Sequence, residues 1–130
     1  MPQEPARLSP DPDTALARVR AIALELPEAE ERPSHGQPTF FVAGKQFAQF
    51  RHDHHGDGRT IVAVKTADDE EGPNLIDIAP ETYSRVAYFG VGWVGLSLAG
   101  PDIDWDFVGD RIARSWELAA PRRLLEAGGR

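Results

Sequence analysis

The side chains best suited to contact an anion lie within residues 45–65. Four basic residues, Lys45, Arg51, Arg59 and Lys65, occur there against two acidic ones. Three histidines in the same stretch add positive charge below about pH 6.5. Basic side chains on a β-hairpin can contact phosphates, which supply most of the nonspecific affinity of proteins for DNA. The alternative interpretation is that these charges line exposed strand edges and prevent edge-to-edge pairing.

Arg122 and Arg123 form a second positive point near the end of the chain. The protein as a whole is acidic, with a net charge of −7. Residues 1–66 carry 8 basic and 9 acidic groups, whereas residues 67–130 carry 6 basic and 12 acidic groups. Such a balance repels phosphate over long distances. Since no helix clusters Arg, Asn and Gln, we predict local contacts to DNA phosphates and no base reading.

His52, Asp53, His54 and His55 are all side chains that could bind a metal ion. A zinc site needs three or four such ligands in tetrahedral geometry, supported by a second layer of hydrogen bonds. The two glycines that follow, Gly56 and Gly58, are instead typical of a polar turn. We therefore predict no metal site and no cofactor.

Ser34 and His35 have the chemistry of a nucleophile and its base. Adjacent residues rarely place a hydroxyl on the neighbouring imidazole, and no third orienting residue is evident. We interpret Ser34 as a turn-closing hydroxyl and His35 as a partly buried hydrogen-bonding residue. The chain contains no cysteine, which excludes disulfides, thiolate metal sites and thiol nucleophiles. We predict a binding protein rather than an enzyme.

Trp93 indicates a different binding surface. Residues 93–98 alternate, so that Val94, Leu96 and Leu98 share one face and Trp93 shares the other with small residues. Glycine beside tryptophan would leave a shallow recess on that face. The alternative function is therefore a protein-binding or small-ligand-binding domain that uses Trp93 together with Ser34 and His35 in turn 34–38.

These side chains must be positioned by elements that the apolar pattern predicts. A first helix should start at Asp11 and end before Pro27. The other predicted elements are strands at 39–43, 46–52 and 60–65, a short helix at 74–79, a short strand within 81–89, a strand at 93–98 and a long helix from residue 102. Gly44 marks a hairpin turn of either two or three residues. The order predicts an α+β fold, with a five-stranded antiparallel sheet and helices packed on one face.

The length favours a single domain, and we assign residues 13–127 to it and residues 1–12 to a flexible tail. The tail lacks the apolar core of a signal peptide. No window approaches the roughly 18 apolar residues that a membrane helix needs. We expect a soluble, cytoplasmic monomer.

The order and spacing of several segments resemble the MmcQ/YjbR family. The matching segments are residues 26–31, 34–40, 44–48, 75–83, 92–94, 104 and 115–124. The resemblance extends over residues 14–125. It implies a small α+β domain with an antiparallel sheet and no established enzymatic activity. Members of the family have been likened to a "double wing" DNA-binding domain, so the resemblance also implies DNA as a partner.

Overall fold

The computed structural model describes residues 11–100 and 102–127. Residues 1–10 of the predicted tail lie outside these ranges. Helix α1 spans Pro12–Leu24, and the Asp11 carboxylate accepts a hydrogen bond from the Thr14 amide at 3.2 Å. An Asp cap followed by proline in the first turn is a common start for a helix. The helix buries Ala15, Val19 and Ala23.

Six strands form one antiparallel sheet, one more than the five predicted. Their bounds are β1 Ala29–Ser34, β2 Gln37–Val42, β3 Lys45–His52, β4 Thr60–Lys65, β5 Tyr83–Ser84 and β6 Trp93–Ser97. Their order across the sheet is β1-β2-β3-β4-β6-β5. The pattern did not predict β1, because it is a charged edge strand with no buried residue. The predicted strand within 81–89 is only the two-residue β5.

Two tight turns join the first three strands. Ala43 and Gly44 have φ angles of 50° and 80°, and His35 and Gly36 have φ angles of 53° and 79°. Two successive positive φ values match the right-handed twist of a hairpin. Of the two loop lengths that the sequence allows at Gly44, the structure has the two-residue loop, with Val42 paired to Lys45.

A β-bulge in β3 decides which side chains face the helices. Phe40 pairs with Ala48 while the adjacent Phe41 pairs with Gln46, which leaves Phe47 as the extra residue. A bulge of this kind puts two residues of one strand opposite one of its partner. Phe47 and Ala48 are consequently both in the apolar core. Gln46 shares the other face with Phe41.

Two further helices follow β4. Helix α2 spans Glu71–Ile78, so it begins three residues earlier than predicted. Asp68 explains the earlier start, because its carboxylate accepts hydrogen bonds from the Glu70 and Glu71 amides at 3.0 and 2.9 Å. Pro73 then lies in the first turn, where a missing N–H is tolerated. The predicted long helix is α3, Trp105–Ala119; it begins three residues later than predicted, and Asp104 caps it.

The core lies between one face of the sheet and helices α1 and α3. Its largest fully buried side chain is Trp116 of α3, whose indole donates to the Pro27 carbonyl at 3.0 Å. Ser115 links α3 to the sheet by accepting from the Lys65 amide at 2.8 Å and donating to the Phe47 carbonyl. A short helix α4, Arg122–Glu126, closes the described part. Within that part, no helix combines the length and the apolar character that crossing a bilayer requires.

Candidate functional site

The sheet face opposite α1 and α3, here called the open face, carries polar and small side chains. One row of paired residues crosses it from β2 to β5: Thr39, Gln49, Ala63, Gly95 and Ser84. All five are buried, and residues of the segments 53–58 and 85–91 line a cavity on the same face. Since buried polar groups need hydrogen-bond partners, the open face must satisfy them locally or leave them for a ligand.

A cavity of about 690 Å³ lies on the open face. Its lining residues come from turn 34–38, from β3, from β6 and from segments 53–58 and 85–91: His35, Gln37, Gln46, Gln49, Arg51, His54, His55, Tyr88, Phe89 and Trp93. The volume is within the range of pockets that hold small organic molecules. We call this cavity the open-face pocket.

A chain of hydrogen bonds organises the pocket floor. Arg51 Nε donates to Gln49 Oε1 at 2.8 Å, and Gln49 Nε2 donates to Thr39 Oγ1 at 2.9 Å. Thr39 Oγ1 donates in turn to the Gln37 carbonyl at 2.9 Å. Because Thr39 Oγ1 accepts from Gln49 Nε2, the side-chain amide of Gln49 is oriented with its Oε1 toward Arg51. This network orients the guanidinium of Arg51.

Arg51 is a buried cation without a counter-ion. The residue is 5% exposed. Its guanidinium carbon lies 4.7 Å from the centre of the Phe89 ring. No carboxylate among residues 11–100 and 102–127 lies within 4.0 Å of it. Neither of its terminal nitrogens, Nη1 and Nη2, is hydrogen-bonded to a residue in those ranges. A buried charge normally has a paired partner.

Burial lowers the pKa of Arg51, while the charges of Asp57 and Tyr88 oppose that shift. Arginine titrates so far above neutrality that it stays protonated in proteins. A second unsatisfied group lines the same pocket, because the buried Gln46 Oε1 accepts no hydrogen bond. The pocket thus offers one cation and one free acceptor.

The rim of the pocket is a cluster of rings. The imidazoles of His54 and His55 lie 4.1 Å apart, and the Tyr88 hydroxyl lies 3.3 Å from His55 Nε2. Burial lowers the pKa of His54, and the positive charge of Arg51 lowers it further. His54 is therefore neutral at pH 7. Phe89 and Trp93 form the inner wall, with ring centres 4.8 Å apart.

The histidine-rich turn is an ordered part of this rim. Asp53 accepts a hydrogen bond from the Gly58 amide at 2.7 Å, and Asp57 accepts one from the Arg59 amide at 2.8 Å. His52 is held separately, with its Nδ1 2.8 Å from Thr60 Oγ1. In the described ranges, no three His, Cys, Asp or Glu side chains are arranged to hold a metal ion.

The predicted basic residues do not form one surface. Lys45 and Lys65 lie at one end of the β3–β4 pair, and Arg51 and Arg59 lie at the other. Lys45 and Arg59 are exposed, whereas Arg51 is buried in the pocket. Lys65 lies 5.1 Å from the Trp93 ring.

The predicted second positive point is locally neutralised. Arg122 pairs with Glu126 at 2.9 Å, and both terminal nitrogens of Arg123 donate to Glu28 at 2.9 Å. This contact lowers the pKa of Glu28. Each arginine thus has a carboxylate partner beside it.

The structure brings the second predicted surface together. His35 and Trp93 both line the open-face pocket, and Ser34 Oγ lies 3.3 Å from His35 Nδ1. His35 is exposed rather than partly buried. The recess predicted beside Gly95 is filled, since a Cβ there would lie 2.9 Å from both Ile61 Cδ1 and Ser84 Oγ. Trp93 instead meets the pocket through its contact with Phe89.

Sequence reasoning missed the pocket floor. Gln49 and Arg51 were one available signal, because they are polar residues at alternating positions within an otherwise apolar strand. No such signal was available for Gln46, because it is the bulge at Phe47 that places Gln46 on the same sheet face as Gln49 and Arg51. Tyr88 and Phe89 were assigned to a strand, whereas they belong to a covering loop in which Tyr88 has a φ of 74°.

Comparisons with known proteins agree with this architecture. The model of the YjbR family matches residues 24–118. No curated protein matches the chain. Among solved structures, the chain is similar to the crystal structure of Deinococcus radiodurans protein DR2400, described with a DUF419 domain. The TM-score is 0.63 at 22% identity, over 79% of this chain and 76% of that chain. At this identity the likeness concerns the fold.

Proposed function

The chain belongs to the YjbR family, and we propose that it is a non-enzymatic binding protein whose open-face pocket takes a small anionic ligand. One observation carries this proposal: the guanidinium of Arg51 is buried in a 690 Å³ cavity with both terminal nitrogens free of described partners. The proposal corresponds to the small-ligand alternative drawn from Trp93 and turn 34–38.

An anion would supply the partners that the two terminal nitrogens of Arg51 lack in the free protein. A buried charge loses hydration, and this loss is offset only when a partner of opposite charge supplies hydrogen bonds. The Phe89 ring offers a cation–π contact, which is weaker than a charge-assisted hydrogen bond. A ligand oxyanion bound to both terminal nitrogens of Arg51 would supply two such bonds.

The rest of the pocket supports binding rather than catalysis. Two hydroxyl–imidazole contacts occur at the pocket, Ser34–His35 and Tyr88–His55, and no carboxylate in the described ranges is hydrogen-bonded to either histidine. A nucleophile and base normally need a third residue that orients the imidazole. The pocket therefore lacks the arrangement that would activate Ser34.

Two-dimensional NMR titration with acetate and with inorganic phosphate tests the proposal. We expect millimolar anion to shift the side-chain resonances of Arg51 Nε–H and Gln49 Nε2–H₂ in the wild-type protein. Arg51→Gln should abolish these shifts. Arg59→Gln removes the same charge from an exposed position and should leave them unchanged. Equal shifts in both variants, or none in the wild type, would overturn the proposal.

DNA binding through Lys45, Arg51, Arg59 and Lys65 stays a prediction. The exposure of Lys45 at the tip of the β2–β3 hairpin favours it. Phosphate contacts make affinity for DNA fall steeply with salt. Anisotropy of a labelled duplex across a salt series checks this alternative. An effect of Lys45→Gln without an effect of Arg51→Gln would separate it from the pocket.

A further inference from the structure

The charge of the open-face pocket limits the charge of its ligand. Among its ten lining residues, Arg51 alone has a permanently charged side chain, and none of the ten has a carboxylate. A carboxylate carries one negative charge and accepts two parallel hydrogen bonds from an arginine fork. A phosphate monoester carries about −1.5 to −2 at pH 7 and would remain under-neutralised. The pocket therefore suits a monocarboxylate.

The lining of the pocket limits the shape of the ligand. Six of the ten lining residues carry planar rings: His35, His54, His55, Tyr88, Phe89 and Trp93. Rings in proteins associate in offset-stacked or edge-to-face geometry, as Phe89 and Trp93 do at 4.8 Å and 61°. A flat aromatic ligand can extend this arrangement with little loss of conformational freedom. A saturated ring cannot stack in the same way.

The free acceptor limits the far end of the ligand. Gln46 Oε1 is buried and unpartnered, so a ligand that donates a hydrogen bond there would satisfy it. Gln46 and Arg51 are five residues apart on β3, which corresponds to at most about 16 Å between their Cα atoms. Side chains cover part of that distance. The donor should therefore lie at the end of the ligand opposite its carboxylate.

We infer that the ligand is a planar aromatic monocarboxylate with a hydrogen-bond donor at the end opposite its carboxylate. This inference rests on the proposed function and names its ligand class. The carboxylate binds Arg51, the rings contact Phe89 and Trp93, and the donor bonds to Gln46 Oε1. Both Gln46 Oε1 and the terminal nitrogens of Arg51 then have partners.

Calorimetry with four matched probes tests this ligand class on the full-length protein. The reference probe is a hydroxynaphthoate. The corresponding hydroxynaphthamide lacks the charge and should bind about tenfold or more weakly. The methoxynaphthoate lacks the donor, and the hydroxydecalin carboxylate lacks the planar rings. Each of these two should bind about threefold to tenfold more weakly.

Variants locate the binding on the protein. Arg51→Lys keeps the charge but loses the fork, and it should weaken the hydroxynaphthoate while leaving the amide unchanged. Gln46→Met removes the acceptor and should weaken the hydroxynaphthoate while leaving the methoxynaphthoate unchanged. Circular dichroism checks that both variants fold. Binding that is insensitive to both variants would overturn the inference.

The outcomes also separate this inference from the proposed function. If acetate shifts the NMR resonance of Arg51 Nε–H but the hydroxynaphthoate binds no more tightly than acetate, the ligand class is wrong and the proposed anion binding is still supported. If phosphate binds more tightly than the hydroxynaphthoate, the ligand is not a monocarboxylate. If neither acetate, phosphate nor the hydroxynaphthoate affects Arg51, both proposals fall.

Discussion

The two faces of the sheet use the same strands for opposite purposes. On the helix-covered face, one row of paired residues reads Phe50, Val62, Leu96 and Tyr83. On the open face, the row beside it reads Gln49, Ala63, Gly95 and Ser84. Both rows are buried, but the first is completed by apolar packing, whereas the open face also carries Gln46 Oε1 and the terminal nitrogens of Arg51, which lack protein partners in the described ranges. Burial alone therefore does not distinguish a core from a binding site.

A substitution in the core of the helix-covered face should lower the free energy of unfolding much more than one on the open face. Trp116→Ala removes the largest fully buried side chain of the helix-covered face. We expect it to lower the free energy of unfolding by about 3–5 kcal/mol, through the cavity it leaves and the lost bond to Pro27. Urea denaturation measures this. Trp93→Ala, on the half-buried pocket wall, is the matched control, and an equal loss of stability there would remove the distinction.

The attachment of α3 to the sheet should give the next largest effect. Ser115→Ala removes the hydroxyl that bonds to both the Lys65 amide and the Phe47 carbonyl. Because buried backbone groups then lack partners, we expect a loss of about 1–3 kcal/mol in unfolding free energy. Ser97→Ala, whose half-buried hydroxyl accepts only from the Ala99 amide, should lose less. Equal losses in the two variants would argue against this anchoring role.

A paired cation on the helix-covered side contrasts with the unpaired Arg51. Arg20 donates two hydrogen bonds to Glu31, at 2.6 and 2.8 Å, and this contact lowers the pKa of Glu31. A lowered carboxyl pKa contributes stability at neutral pH, and this contribution is lost as the pH falls through the folded-state pKa. Glu31→Gln should therefore cost about 0.2–1 kcal/mol at pH 7.

The same variant has a diagnostic pH dependence. Below the folded-state pKa of Glu31, the wild type and Glu31→Gln should unfold with equal free energies, because the carboxyl is then protonated. Urea denaturation at a series of pH values measures the difference. A difference that persists unchanged into acid would show that the carboxylate charge is not its source.

Removing the unpaired cation should have the smallest effect on stability. Arg51→Gln eliminates a buried charge that has no described counter-ion, so the gain in solvation opposes the lost contacts with Gln49 and Phe89. We expect the unfolding free energy to change by less than about 1 kcal/mol. The pKa of His54 should rise at the same time, because Arg51 lowers it. Histidine titration by NMR measures this shift, and an unchanged pKa would contradict the contact.

Much of the fold could be predicted because its signals are local. Strand β4 and helix α3 followed from uninterrupted apolar runs and from an Asp cap. Strand β1 could not be predicted in this way, because an edge strand tolerates Glu30, Glu31 and Arg32 at exposed or half-buried positions. The pairing of β1 with β2 depends on the turn between them, in which His35 has a positive φ angle. A positive φ angle is uncommon for any residue other than glycine, so the sequence does not predict this turn strongly.

The pocket could be predicted only in part, because it is assembled over long distances. Trp93 and turn 34–38 were identified from their own composition. The meeting of β3 with segments 53–58 and 85–91 depends on tertiary structure that no local pattern encodes. The bulge at Phe47 also changes the alternation of the strand, which is why Gln46 and Gln49 face the same cavity.

The position of Arg51 in a liganded crystal tests the central claim most directly. Crystals grown with saturating hydroxynaphthoate should place its carboxylate within hydrogen-bond distance of both terminal nitrogens of Arg51. Its rings should lie against Phe89 and Trp93. A carboxylate bound instead at exposed Lys45 or Arg59, with Arg51 making no contact to it, would contradict the account.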